Sequence, residues 1–291
     1  MMTMPDNAVL SIAVAQIETR LGDLQANKRT HLDVIGAARA AGAQVLVCPE
    51  LSLAGHAGGR EAPRLALTAA SPMLAELAAA SGDMLTVVGA VEEAPGALFY
   101  NTALGLRDGR VLFRHRKVNL ATYGRLDDGK HFAAGAEIRT HEVAAPWRAA
   151  VLICADLWNP PLVHLAALSG ATVLLAPISS GREAVGHGFD NPKGWAINAR
   201  FHAMTYGLPL ALANRVGTEG DLTFWGGSRI LDPFGKELAR AGEEETLITA
   251  AVPYESLRQA RFLLPTVRDG AAPLLAREFA RVAGEAAARQ T

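Results

Sequence analysis

Ser11-Ile12-Ala13-Val14-Ala15-Gln16-Ile17, the stretch Leu24 to Ala41, and Val45-Leu46-Val47-Cys48 follow one another near the start of the chain, and their patterns differ. The first reads as a strand. The second places Leu32, Ile35 and Ala38 on one face of a helix, and the third is a short, wholly apolar run of the kind found in strands covered on both faces. Strand, helix and buried strand in that order predict a layered α/β fold with parallel pairing.

Working outward, Met84 to Val91 reads as a further strand. Asn101 to Val118 reads as a hairpin turning at Asp108-Gly109, a favoured two-residue turn, so antiparallel pairing joins the sheet. Ala149 to Ile153 and Thr172 to Ile178 are apolar runs of strand length. Asn191 as N-cap and Pro192 in the first turn predict a helix to Tyr206, ended by Gly207. Leu208 to Ala213, Phe224 to Leu231 and Thr246 to Val252 are expected as strands. Ala271 to Ala288 is alanine-rich and helical, with Leu274, Leu275, Phe279 and Val282 in an apolar stripe. No internal repeat or low-complexity linker interrupts the chain.

Composition narrows the class. Half of the 291 residues are hydrophobic and 20% are charged, enough apolar material for a large core. The formal net charge of −1 gives no electrostatic case for nucleic acid or an anionic membrane as partner. Met1 to Asn7 lacks a basic region followed by a hydrophobic core, and no apolar stretch approaches a membrane span. Two cysteines, one of them needed as a free thiol, argue against a disulfide scaffold and fit a reducing compartment, so a cytoplasmic enzyme is expected. Neither cysteine has neighbours at metal-ligand spacing and there is no glycine-rich phosphate loop. No metal and no cofactor is implied.

Three apolar runs end in chemistry. Val45 to Pro49 leads into Glu50, Arg110 to Phe113 leads through Arg114-His115-Arg116 into Lys117, and Ala149 to Ile153 ends at Cys154. In an open α/β sheet, ligands meet the carboxyl ends of strands, so a thiol delivered by the last residue of such a strand is placed to react. A cysteine nucleophile needs a base or a nearby cation. Glu50 supplies the base. Lys117 supplies the cation that stabilises a thiolate and then an oxyanion, and the backbone N–H of Ala155 is a second oxyanion donor. Together these residues describe acyl transfer through a thioester. Cys48, inside the run before Glu50, reads as core.

The order of these motifs resembles the nitrilase, or carbon–nitrogen hydrolase, superfamily and its Glu-Lys-Cys triad. The likeness begins with Val14-Ala15-Gln16 and Asn27, and continues through Pro49-Glu50-Leu51, Gly55, Lys117-Val118-Asn119-Leu120 and Cys154-Ala155-Asp156-Leu157-Trp158. It ends with Asn214-Arg215-Val216-Gly217, Phe224-Trp225-Gly226-Gly227-Ser228 and Asp232-Pro233-Phe234-Gly235. The resemblance implies a four-layer α-β-β-α sandwich, with the site at strand ends and subunits pairing through a helical layer into a homodimer or larger even homo-oligomer. It also implies one carbon–nitrogen hydrolase domain over residues 1–291, with 1–8 flexible and 271–291 a helical tail on its own or a neighbouring subunit.

The chain also departs from the family pattern. Where members carry a segment like Phe-Asp-Glu-x-x-x-Phe-x-Pro-Gly, this chain has Leu126-Asp127-Asp128-Gly129-Lys130-His131-Phe132-Ala133-Ala134-Gly135, so Asp128 stands one methylene shorter in the place of the second glutamate. Asn159-Pro160-Pro161 replaces the usual Phe-Pro-Glu, and His202-Ala203-Met204-Thr205-Tyr206 replaces Arg-Ala-x-Glu-Asn. An intact triad in altered surroundings points to a less common substrate branch. Tyr123, Trp158, Ser179 and Ser180 flank the lysine and cysteine motifs and the exit of the 172–178 strand, and are the expected substrate-binding residues. The expected substrate is a small linear amide or an N-carbamoyl (ureido) compound, with a nitrile as the alternative. A non-catalytic small-molecule-binding member of the fold is the remaining alternative.

Overall fold

A computed structural model describes residues 8–186 and 188–289. Most of the 1–8 segment expected to be flexible lies outside the described residues. Two six-stranded sheets carry the fold. The first, in spatial order, is Thr246–Pro253, Val9–Gln16, Val45–Val47, Leu85–Ala94, Leu98–Arg107 and Arg110–Arg116. The second is Glu237–Arg240, Arg229–Leu231, Leu210–Ala213, Val173–Pro177, Trp147–Val151 and Thr140–Ala144. In each, the parallel strands lie at the centre and antiparallel ones at the edges.

Alternation along the strands builds the layers. Leu10, Ile12 and Val14 of the first strand share one face with Val45, Val47, Leu85 and Val87 and belong to one core with the second sheet, to which Ala149, Val151, Leu174 and Leu212 contribute. The intervening Ala13, Ala15, Leu46 and Val88 face outward, where Ile35 and Ala38 of the helix Leu24–Ala40 and Leu74 and Leu77 of the helix Pro72–Ser81 cover them. On the far side Val163 and Ala166 of Pro160–Leu168, and Trp195, Ala199 and Ala203 of Asn191–Tyr206, cover the second sheet. The expected α-β-β-α sandwich is therefore the architecture. Among the described residues, no helix is long and apolar enough to cross a membrane.

Four details differ from the sequence reading. The cap of the 191–206 helix is Asp190, whose side chain accepts from the Lys193 N–H. Asn191 instead points inward and donates to Ser180 Oγ and Gly181 O. The expected 224–231 strand is two, Leu222–Trp225 and Arg229–Leu231, broken at Gly226-Gly227 where both residues take φ of 65°. A Cβ on Gly226 would lie 2.4 Å from Gln16 Nε2, which is itself hydrogen-bonded to the carbonyls of Gly242 and Glu244. The strand before Cys154 ends at Val151, so the thiol is not delivered by the last strand residue but by the turn beyond it. Finally, the helix Ala272–Ala288 buries none of its residues. Its Leu275, Ala276 and Phe279 face Pro161, His164 and Leu165 across a cavity of about 540 Å³.

Candidate active site

Glu50, Lys117 and Cys154 converge at one end of the sheets, each just past a strand. Glu50 follows Val45–Val47 in a turn pressed against the neighbouring strand at Gly89. A Cβ there would lie 2.3 Å from Leu51 N and 2.5 Å from Pro49 O, so only glycine lets the turn seat. The turn is also held from the helix behind it: Asn27 donates to Leu53 O, and buried His31 bridges Asn27 O and Ser52 Oγ.

The polar contacts close on Glu50. Its Oε1 accepts from Lys117 Nζ at 2.6 Å and from Asn101 Nδ2 at 2.8 Å, and its Oε2 accepts from the Ser179 N–H at 2.9 Å. Lys117 Nζ also donates to Asp128 Oδ2 at 2.6 Å. The aspartate reaches because its loop folds back: the Asp128 N–H donates to Ala121 O and the Ala121 N–H returns to Asp128 Oδ2. Burial alone would lower the Lys117 pKa, but Glu50, Asp128 and Cys154 outweigh it and hold the ammonium well above its ordinary range.

Cys154 opens a short turn, Cys154–Trp158, with φ of 46°, a left-handed conformation that a non-glycine residue adopts at a cost of about 1–3 kcal/mol. Its polar neighbours are Glu50, Lys117 and the Ser179 N–H. Burial first, and then the Glu50 charge, push its pKa well above the usual thiol value against the opposing pull of Lys117. Cys48 is sealed in the core of the first sheet, and burial pushes its pKa up to about 12.

Asp156 ties these parts together. Fully buried, it accepts from the Val118 and Asn119 N–H groups through Oδ1 and from the Ile153 N–H and His115 Nε2 through Oδ2. The lysine loop and the cysteine turn thus share one carboxylate. Asn119 adds a second link by donating to Ala155 O, which fixes the residue after the nucleophile.

The expected substrate-binding residues fall into two groups. Tyr123 and Trp158 are partly exposed, at 43% and 37%. Tyr123 lies close enough to Cys154 for that charge to add to burial in raising its pKa to about 12, and Trp158 packs edge-on against Phe189 and Trp195. Ser179 and Ser180 are buried. Ser179 Oγ pairs with His56 Nδ1 at 3.0 Å, while Ser180 Oγ is taken by Asn191 Nδ2 and Trp195 Nε1, so its hydroxyl serves the framework.

Three residues given no role in the sequence reading belong to this region. Asn101 is a lone amide in the apolar strand Leu98–Arg107, and Asp156 is an acid two residues beyond Cys154; both patterns stand in the sequence. His56 gives no such signal. With Asp127, Asp128, Arg125 and Glu219 it lines a polar cavity of about 370 Å³ beside the triad, and burial lowers its pKa in spite of Glu50 and Glu219.

Comparison with known proteins agrees with this geometry. Residues 11–262 match the carbon-nitrogen hydrolase family model. An (R)-stereoselective amidase from a Pseudomonas species is 30% identical over 262 residues, 87% of this chain and 88% of that protein. The glutamine-dependent NAD(+) synthetase of Thermotoga maritima is 30% identical over 247 residues, which cover 82% of this chain but only 41% of the synthetase. Among solved structures, the amidase from Nesterenkonia sp. AN1, with acrylamide added at its active site cysteine, superposes with a TM-score of 0.73 at 27% identity, covering 88% of this chain and 98% of the other. The chain belongs to the carbon-nitrogen hydrolase family, within the nitrilase superfamily.

Proposed function

We propose that this carbon-nitrogen hydrolase cleaves the C–N bond of a small linear amide or N-carbamoyl compound through a thioester on Cys154. Glu50 takes the thiol proton as sulfur attacks the carbonyl carbon. Lys117 and the Ala155 N–H hold the oxygen on which negative charge develops, and the proton passes from Glu50 to the departing nitrogen. Water, activated by the same carboxylate, then attacks the thioester and frees the acid and the thiol. Asp128 keeps Lys117 aimed and charged.

The observation that carries this reading is the bracketed ammonium: Lys117 Nζ sits 2.6 Å from both Glu50 Oε1 and Asp128 Oδ2, beside a thiol held at positive φ. The polar cavity at His56, Arg125 and Glu219 favours a substrate with a polar tail over an aryl nitrile. Relatives named as amidases and as a glutamine-dependent synthetase favour amides over nitriles. The same reading takes residues 1–291 as one domain and places the enzyme in the cytoplasm as an even homo-oligomer.

The test is kcat/KM for one acyl skeleton offered as amide, N-carbamoyl compound and nitrile, read by ammonia release. Amide or N-carbamoyl turnover is expected to lead. A clear preference for the nitrile overturns the ranking, and no turnover of any of the three by the wild type favours a binding protein.

A further inference from the structure

Asn101 touches two members of the triad at once. Its Nδ2 donates to Glu50 Oε1 at 2.8 Å, and its backbone carbonyl accepts the Lys117 N–H at 2.8 Å. It sits in the strand Leu98–Arg107, paired with Val91 and almost wholly buried. The other end of the amide, Oδ1, has no hydrogen-bond partner among the described residues. A buried carbonyl left unpaired is costly, and an apolar residue at this position would avoid that cost. The compensating gain is at Glu50. With Lys117 and Asn101 on Oε1 and the Ser179 N–H on Oε2, the carboxylate cannot turn about its Cγ–Cδ bond without losing a donor.

We propose that Asn101 is a positioning residue for the general base: it fixes the Glu50 carboxylate in the one orientation that presents it to the Cys154 thiol. This rests on the reading of Glu50 as the base. Asn101 does not contact substrate, and its effect reaches the sulfur only through Glu50. The charged or titratable groups facing Glu50 are Lys117, Asp128, Cys154, His56 and Tyr123.

Iodoacetamide alkylation of the native protein, followed by intact mass across an acid-to-alkaline series, isolates the step. A carbon–sulfur bond forms, the carbon–iodine bond breaks, iodide leaves and the thiol proton goes to Glu50. Cys154→Ala identifies the alkylated residue. In Asn101→Ala the acid limb of the rate profile is expected to move to higher pH by about one unit, the size of one hydrogen bond to a charged group. In the near-isosteric Asn101→Asp it moves further, because a like charge now faces Glu50. Either variant alone decides the matter if the other fails to fold. A limb lost in Glu50→Gln but unmoved in the Asn101 variants overturns this inference alone, as does a uniform loss of rate at every pH. A limb that survives Glu50→Gln overturns the base reading, and this inference with it.

Discussion

Asp128 Oδ2 lies 2.6 Å from Lys117 Nζ, the same separation as Glu50 Oε1 from that nitrogen, so one ammonium is bracketed by carboxylates on side chains of different length. The shorter acid is not out of reach, because its loop folds back through the paired Asp128 and Ala121 hydrogen bonds. Glu50 is buried to 3% side-chain exposure and Asp128 to 15%, which makes the first the drier, more strongly coupled partner.

Asp128→Asn is therefore expected to lower kcat by about tenfold, and Lys117→Met by about a hundredfold or more, since the second removes an oxyanion donor outright. Asp128→Glu restores the family's residue without restoring its loop and gains no activity. Steady-state ammonia release on the best substrate of the matched series checks all three, and a Lys117→Met enzyme with near wild-type kcat sinks the role given to that ammonium.

Replacing the two cysteines should separate them completely. Cys154→Ala abolishes turnover and the covalent adduct seen by intact mass with substrate, while Cys48→Ala, which trims a side chain walled in by the first sheet, costs stability and leaves most of the activity. Equal loss of turnover in both variants contradicts the assignment.

Ser180→Ala leaves Trp195 Nε1 without its acceptor and Asn191 with Gly181 O alone, and is expected to destabilise the fold by about 1–3 kcal/mol with little change in KM. Tyr123→Phe, at a hydroxyl near Cys154, should do the reverse. Thermal melts set beside Michaelis curves distinguish them; a raised KM in Ser180→Ala at unchanged melting temperature would return that hydroxyl to the substrate.

His31 makes stability pH-dependent. Burial lowers its pKa to about 4, with the Asn27 carbonyl opposing, against 6.5 for the unperturbed group. Between these values the unfolded chain binds a proton that the folded one refuses, so stability falls as pH drops through this window. The residue contributes about 2 kcal/mol of loss between pH 7 and 5. Denaturant unfolding at the two pH values should show this difference shrink by that amount in His31→Gln, and an unchanged difference contradicts the assignment.

Much of the architecture could be read from the chain because Ser11 to Ile17 and Val45 to Cys48 are nearly saturated with apolar residues, as strands covered on both faces require. The hairpin at Asp108-Gly109 was legible for a local reason too, with φ of 51° and 74° at its two turn residues. The cap at Asp190 was not. Asp190 and Asn191 are both good N-caps, and what decides between them is the distant Ser180 hydroxyl that claims Asn191. The split of 224–231 was hidden likewise, because its cause is Gln16, far away in sequence. Within the site, Glu50, Lys117 and Cys154 showed at their strand exits, whereas the parts played by Ser179, His56 and Asp156 depend on which backbone groups the folded loops leave exposed to them.

The four donors gathered on Asp156 have a bearing on redesign. The lysine loop and the cysteine turn behave as one mechanical part, so the pocket cannot be widened by prising them apart without also breaking the spacing that makes the chemistry work. Room for a larger acyl group has to be made at Tyr123 and Arg125, where side chains can be exchanged while Glu50, Lys117 and Cys154 keep their separations.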